Sequence, residues 1–326
     1  MKGAHRIIVE TSKIKYDFVI KRNITILTGN SGSGKTLLID YIREYRRYGI
    51  DSGVSVSCDC DCRTLDDENW ERQLQEISNS IIFIDEGNRF LLSRRFAELV
   101  KASDNYFVLA TREKLPAIPY SINEIYGFRK SGKYAETKQK YNEIYHLYGE
   151  FSTEHDIDPK LVITEDSNSG YEFYKELSRQ KSINCISANG KSNIIKKIQE
   201  NLEYNKNILV IADGAALGSE IKDISEYMKV EDGIVLYAPE SFEWMLLSLN
   251  IIPNVNVMSV LEHPEDYIES SEYVSWERFF THLLIEKTRD NKIWVYSKKR
   301  LGKPYLSAKV ISSAKKFMKY IDWNAN

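Results

Sequence analysis

The sequence predicts an α/β fold with two parallel-sheet domains, and three observations predict it. An apolar run at Ile24, Ile26 and Leu27 leads through a glycine-rich stretch into an apolar helical face at Leu37, Leu38, Ile39 and Ile42. Two further apolar runs, Ile81–Ile84 and Tyr106–Ala110, have the length and continuity of strands buried on both faces. Beyond residue 160, strand-like and helix-like segments alternate regularly, the pattern of βα units on a parallel sheet. A chain of 326 residues is long enough for two such domains. The polar stretch GEFSTEHDIDPK, residues 149–160, marks the boundary and ends in Pro159. The expected domains are therefore 1–150 and 160–326.

The first elements are the strand pair RIIVETS and YDFVIKR, which feeds the strand at 24–27. Next comes GNSGSGKT, which matches G-x-x-x-x-G-K-[ST] at Gly29, Gly34, Lys35 and Thr36. Glycines at 29, 32 and 34 allow a tight turn with N–H groups facing inward, and the following helix adds its positive dipole end. The loop Gly29, Asn30, Ser31, Gly32, Ser33, Gly34 is expected to cradle phosphates. Lys35 is expected to reach the β/γ-phosphates, and the Thr36 hydroxyl to ligate Mg²⁺. The cofactors implied are ATP and Mg²⁺.

VSVSCDCDCRTL follows. On a strand, Cys58, Cys60 and Cys62 share one face and Asp59 and Asp61 the other. A soft metal is one reading. The spacing is not C-x-x-C, however, and no second ligand pair is visible, so a reduced strand with small residues packed inside is preferred. Cys185, alone in an apolar strand, reads as core.

The strand at 81–84 ends in Asp85 and Glu86. Read alone, the pair fits a strand-to-helix cap as well as a catalytic site. Behind a phosphate-binding loop, Asp85 is expected to accept from the Mg²⁺ shell and Glu86 to orient an attacking water. This strand is expected to lie beside the loop strand. The strand at 106–110 ends in Thr111 and Arg112, where Thr111 is a candidate sensor of the γ-phosphate. Arg89, Arg94 and Arg95 are arginine-finger candidates in an oligomer, or simply surface charges. After two prolines, RKSGKYAETKQKYNEIYHLYG reads in part as a strand or hairpin.

Residues 5–130 resemble P-loop ATPases of the class with a catalytic Glu after the metal Asp, the AAA and ABC-like group. GNSGSGKT and IFIDE carry the resemblance. It implies ATP hydrolysis, with Lys35 and Glu86 as catalytic residues. The chain lacks an LSGGQ-like signature; FLLSRRFAELV stands in that region.

In the second half the strands are LVITED, INCISA, NILVIAD and GIVLYAP, each followed by a helix-like segment. Ligands of open parallel sheets bind outside the carboxyl ends of the strands. Three of those ends carry Glu165-Asp166, Asp213 and Glu240, which together suit an oxygen-ligand Mg²⁺ site. Residues 160–250 resemble a Toprim domain, a Rossmann-like fold. In that family a Glu follows the first strand, here Glu165, and an Asp-x-Asp the third, here Asp213. Ala215 stands in place of the second Asp, and a methyl group cannot ligate a metal. Glu220, Asp166 or Glu240 are the possible substitutes. The domain order resembles OLD-family ATPase-nucleases and implies a role in phage defence or mobile elements.

The last stretch, 270–326, reads as mainly helical. Lys287 to Lys319 contains 11 Lys/Arg and one acidic residue, Asp290, interleaved with Trp294, Tyr296, Tyr305 and Phe317. This is either a solvated helix face over buried aromatics or a nucleic-acid segment in which aromatics stack on bases. The net charge of −2 gives no global basic field. No apolar run reaches the roughly 20 residues of a membrane helix, and MKGAHRIIVETSK lacks a signal-peptide core. A cytoplasmic protein without a membrane partner is expected. The leading reading is an ATPase whose nucleotide state controls a Toprim-like domain acting on nucleic acid, as a homo-oligomer or with a partner protein. The alternative is a non-catalytic ATP-dependent regulator that binds a protein or RNA; a small-molecule kinase is a third reading.

Overall fold

The computed structural model describes residues 1–30, 32–66, 68–130, 139–149 and 156–323. The protein is mixed α/β and divides into two compact units. The first comprises Met1–Gly149 and His263–Val274, the second Glu150–Glu262 and Ser275–Asn326. Part of the stretch expected to separate the domains, 150–155, lies outside the described residues.

The first unit is built on a nine-stranded sheet. Its strands are β1 (His5–Glu10), β2 (Ile14–Ile20), β3 (Ile24–Leu27), β4 (Ser55–Ser57), β5 (Asp61–Thr64), β6 (Ser80–Ile84), β7 (Tyr106–Ala110), β8 (Ile125–Lys130) and β9 (Lys140–His146). Their order is β4-β1-β2-β9-β8-β3-β7-β6-β5. The run β8-β3-β7-β6-β5 is parallel, and β3, β6 and β7 are buried on both faces, as their unbroken apolar sequences require. The sheet is only mostly parallel, because two hairpins join it. β1 pairs antiparallel with β2 and with β4, and β8 with β9. The tyrosine-rich stretch thus supplies β9 and the end of β8, while 131–138 lie outside the described residues.

One connection constrains this sheet. β4 and β5 are its two edges, yet only residues 58–60 join them. Nine flat strands at about 4.8 Å spacing would set the edges about 38 Å apart. Three linking residues span at most about 14 Å. The sheet therefore curls so that its ends approach. Helix α1 (Lys35–Tyr48) occupies the inside, packing on β5 at one end and on β1 and β4 at the other. The resulting core takes Ile7 and Val9 from β1, Tyr16 and Phe18 from β2, Leu38, Ile39 and Ile42 from α1, and Cys62, Phe83 and Val108 from the far strands. Each fully buried large side chain contributes roughly 1.5–3 kcal/mol. Two short helices, α2 (Trp70–Glu76) and α3 (Arg94–Ala102), cover the sheet near β6 and are joined by stacking of Trp70 on Phe90 and edge contacts to Phe96.

The segment His263–Val274, which the sequence places with the second half, belongs to this first unit. The Gly3 amide donates to Glu265 O at 2.8 Å, Lys21 Nζ pairs with Glu265 Oε1 at 2.8 Å, and Asn23 Nδ2 donates to Val274 O at 3.1 Å. The N-terminal ammonium pairs with Glu269.

The second unit carries a four-stranded parallel sheet, in the order β11-β10-β12-β13. Its strands are β10 (Leu161–Thr164), β11 (Asn184–Ser187), β12 (Ile208–Ile211) and β13 (Ile234–Tyr237), alternating with helices α4 (Ser169–Arg179), α5 (Ile194–Asn201), α6 (Ile221–Val230) and α7 (Phe242–Ser248). The register aligns Thr164, Ser187, Ile211 and Tyr237 in one row, so the residues that follow them emerge at a single sheet edge. A short α8 (Met258–Glu262) precedes the segment of the first unit. The last stretch is less helical than expected. α9 (Trp276–Thr288) and α10 (Ala308–Lys315) are separated by turns, with one helical turn at Lys303–Leu306. Asn291, Gly302 and Pro304 interrupt it there.

A buried ion pair anchors the middle of the first sheet. Arg22 and Glu124 are 7% and 4% exposed and meet at 3.3 Å, while Thr25 Oγ1 and Tyr126 OH each donate to Glu124 Oε2 at 3.4 Å. Removing one partner strands a buried charge. Arg22→Ala is expected to lower the unfolding free energy of the first unit by about 3–5 kcal/mol, measurable by urea denaturation.

Candidate functional site

The glycine-rich loop turns where its sequence demands. Gly29, Gly32 and Gly34 have φ of 129°, 77° and 101°. Gly34 is also hemmed in: Tyr16 of β2 donates its hydroxyl to Gly34 O at 2.9 Å, and a Cβ on Gly34 would sit 2.8 Å from that hydroxyl. Tyr16 therefore fixes the loop from below, a role no motif signals. Lys35 opens α1 and is 4% exposed. Its ammonium donates to Gly29 O at 2.9 Å, Asn30 O at 3.3 Å and Ser33 Oγ at 3.1 Å. Burial lowers its pKa, opposed by the charges of Glu86 and Asp85. Ser31 lies outside the described residues.

The Asp-Glu strand β6 is not beside the loop strand as expected; β7 lies between β3 and β6. The side chains still meet across it. Thr36 Oγ1 is 3.4 Å from Asp85 Oδ1, although 49 residues separate them. Asp85 Oδ1 also accepts from the Glu86 amide at 2.9 Å, and Asn88 Nδ2 donates to Asp85 O at 2.9 Å, which holds the turn after β6. Arg112, at the end of β7, reaches Glu86 at 3.3 Å. Thr111 is buried and its hydroxyl accepts from the Glu113 amide at 3.0 Å, so it shapes the turn after β7. Of the arginine-finger candidates, Arg95 is committed to Glu71 and Glu98, while Arg89 and Arg94 lie on the surface near α3.

In the second unit a cavity of about 250 Å³ opens at the carboxyl edge of the sheet. Glu165, Asp166, Asp213, Glu243, Glu277 and Lys298 line it. Glu165 and Asp213 thus come together: the Asp213 amide donates to Glu165 Oε2 at 3.2 Å. Asp213 Oδ1 accepts from the Phe242 amide at 2.8 Å, at the start of α7. Gly214 allows this loop to press on its neighbour, since a Cβ there would lie 2.8 Å from Ala238 O. Burial pushes Asp213 well up, reinforced by the charges of Glu277, Glu243 and Glu165.

The other acidic candidates divide. Asp166 serves α4: Oδ1 accepts from the Ser167 and Asn168 amides at 2.7 and 3.0 Å, and Oδ2 from Gly170 at 2.9 Å. Glu240 is not among the cavity's lining residues. Its carbonyl accepts from the Ala215 amide at 3.1 Å. Glu220 pairs with Lys191 at 3.5 Å, outside the cavity. Glu243 and Glu277 take the places expected for them. Both sit inside helices, where sequence reading finds only amphipathic pattern.

The basic segment is also redistributed. Lys298 enters the acidic cavity and donates to Glu277 Oε1 at 2.8 Å; its pKa is raised by Glu243 and Glu277 against the opposing effect of burial. Tyr296 and Tyr305 are 3% and 0% exposed, so they cannot stack on bases. Tyr296 OH instead donates to Glu243 Oε1 at 2.6 Å, and Tyr305 OH to Trp294 O at 2.6 Å. Lys299, Arg300, Lys303 and Lys309 remain on the surface, and Phe317 is exposed.

Glu165 gives the cavity a pH signature. Its pKa is pushed up to about 7 by burial first and then by Glu277 and Glu220, against the Asp213 amide and Lys191. The folded state therefore holds this proton more tightly than the unfolded chain. The associated stability is complete below the ordinary value of 4.5 and is lost as pH rises through about 7. Glu165→Gln is expected to flatten this fall and to be more stable than wild type at pH 8, read by urea unfolding of the second unit across that range.

Among the described residues, no helix is long and apolar enough to cross a membrane. No protein-family model matches the chain, and neither does any curated protein.

Proposed function

We propose that the first unit binds and hydrolyses MgATP, and that its nucleotide state controls a Toprim-like second unit acting on nucleic acid. The approach of Thr36 to Asp85 at 3.4 Å carries the first part, because it joins the two expected ligands of one Mg²⁺ at the mouth of the phosphate loop. When bound, MgATP supplies the phosphoryl group and the ion. Lys35, already stripped of water, exchanges its loop carbonyls for phosphate oxygens. Glu86 orients the attacking water. Arg112, now paired with Glu86, would turn to a bound γ-phosphate and free the carboxylate for that task.

In the second unit, Glu165 and Asp213 are the ligands proposed for one divalent cation. Lys298, paired with Glu277, lines the same cavity and would supply positive charge of the kind a second ion supplies in a two-metal site. This fits the presence of Ala215. The surface lysines and arginines of 299–309 are the proposed contacts to phosphates. The same seating of Lys298 favours the second reading, an ATP-dependent regulator that binds RNA or protein without cutting.

Two experiments test these assignments. Glu86→Gln is expected to slow ATP hydrolysis by about 10²–10⁴ while ATP still binds, and Lys35→Ala to weaken binding as well; unchanged turnover in both variants defeats the ATPase. The protein is also incubated with Mg²⁺ or Mn²⁺ and plasmid, single-stranded DNA or RNA, with and without ATP. Metal-dependent cutting that Glu165→Ala abolishes supports a nuclease. Binding without cutting, weakened by a Lys299→Glu/Arg300→Glu pair and by salt, leaves the regulator.

A further inference from the structure

The connection that joins the two sheet edges carries a cluster that the proposed chemistry does not use. Cys58 and Cys60 lie in it, and β1 supplies the residue opposite. β1 and β4 pair antiparallel with Ile8 facing Ser57. Continued three residues past that pair, the register sets His5 against Cys60. The side chains follow: His5 Nδ1 is 3.6 Å from Cys60 Sγ and 3.0 Å from both carboxylate oxygens of Asp59. Cys58 Sγ is 3.6 Å from Cys60 Sγ and 3.4 Å from Asp59 Oδ1, while Cys60 Sγ is 3.7 Å from the same oxygen.

We propose that His5, Cys58, Asp59 and Cys60 form a zinc site that ties β1 to the link between β4 and β5. His5, Asp59 and Cys60 already cluster as ligands of one ion do, and Cys58 joins them through Cys60 and Asp59. With Zn–S near 2.3 Å and Zn–N near 2.0–2.1 Å, a tetrahedral site has S···S of about 3.8 Å and S···N of about 3.5 Å. The Cys58–Cys60 and Cys60–His5 distances lie within a few tenths of these values. The donor set, two thiolates with an imidazole and a carboxylate, suits borderline-soft Zn²⁺ and not the oxygen-bound Mg²⁺ of the other two sites.

A second observation concerns the histidine. His5 is 7% exposed, and its Nδ1 faces Cys60 and Asp59. A buried imidazole whose Nδ1 meets both a thiol and a carboxylate presents the nitrogen that a metal uses. Cys62 completes the floor: it is 6% exposed and packs in the core below. Asp59, whose side chain is 63% exposed, forms the outer wall and moves outward by a few tenths of an ångström to accommodate the ion. Binding moves the two thiol protons to solvent as the Zn–S bonds form, with no change of oxidation state. The ion then holds the ends of the curled sheet together around α1, which carries Lys35 and Thr36 at its start.

The full chain, purified under reducing conditions and stripped with a chelator, is titrated with Zn²⁺ and separately with Co²⁺, in excess Mg²⁺ to fill oxygen-ligand sites. One Zn²⁺ per chain is expected, with thiolate-to-metal charge transfer and tetrahedral visible bands for Co²⁺. Cys58→Ser and Cys60→Ser should each weaken Zn²⁺ binding by more than about tenfold, and Cys185→Ser should leave it intact. Zn²⁺ should raise the thermal midpoint of wild type but not of the Cys58→Ser/Cys60→Ser double variant, whose folding is checked by circular dichroism. Three outcomes overturn the site: no uptake of either metal, an octahedral Co²⁺ spectrum without charge transfer, or equal affinity in the cysteine variants. A Cys58–Cys60 disulfide that persists under reductant overturns it as well.

Discussion

The three residues between β4 and β5 constrain everything else in the first unit. They compel a wide sheet to bend until its edges nearly meet, and α1 packs within the bend. α1 fills it with Leu38, Ile39 and Ile42, all at most 1% exposed. A helix held on several sides cannot shift without opening the core, because packed interiors resist small displacements. Tyr16 reaches from β2 to grip Gly34, so the strands that curl the sheet also brace the glycine-rich loop.

The two units place charge in opposite ways at the tips of their sheets. In the first, a desolvated ammonium sits among backbone carbonyls and faces a carboxylate pair across one intervening strand. In the second, carboxylates crowd a small cavity, and one lysine relieves their repulsion. Burial first, and the neighbouring carboxylates after it, raise the pKa of Glu165 and Asp213, and a bound cation would offset that cost of ionisation. The proposed division of labour, nucleotide in one unit and nucleic acid in the other, rests on that contrast. The zinc site proposed at the edge link is chemically separate from both, since it is built from sulfur and imidazole.

Elements with strong local pattern were legible in the sequence. The unbroken apolar runs at 81–84 and 106–110 form buried strands, and the βα alternation after residue 160 forms a parallel sheet. Thr36 and Asp85 meet although β7 separates their strands, because two strands and a loop that end at the same sheet edge can converge whatever their order. The acidic cavity was half legible. Glu165 and Asp213 follow strands directly, so alignment of strand ends brings them together. Glu243, Glu277 and Lys298 do not, and nothing in their neighbourhoods distinguishes them from helix-surface charges. The basic segment misled for a related reason. Composition counts lysines and tyrosines but does not say which way they point, and Tyr296 and Tyr305 point inward.

By itself the sequence determined the local features: the turn at each loop glycine, the buried strands, the strand-helix alternation and the chemistry available at each strand end. These depend on residues a few positions apart, where backbone sterics and periodicity act. The tertiary structure alone decided which distant groups share a space. His5 meets Cys60 through antiparallel register, Lys298 meets Glu277 through the return of the chain after α9, and 263–274 joins the first unit through contacts with residues at the N-terminus. Such pairings depend on how whole elements pack, and packing is a sum of many weak contacts that no short stretch of sequence encodes.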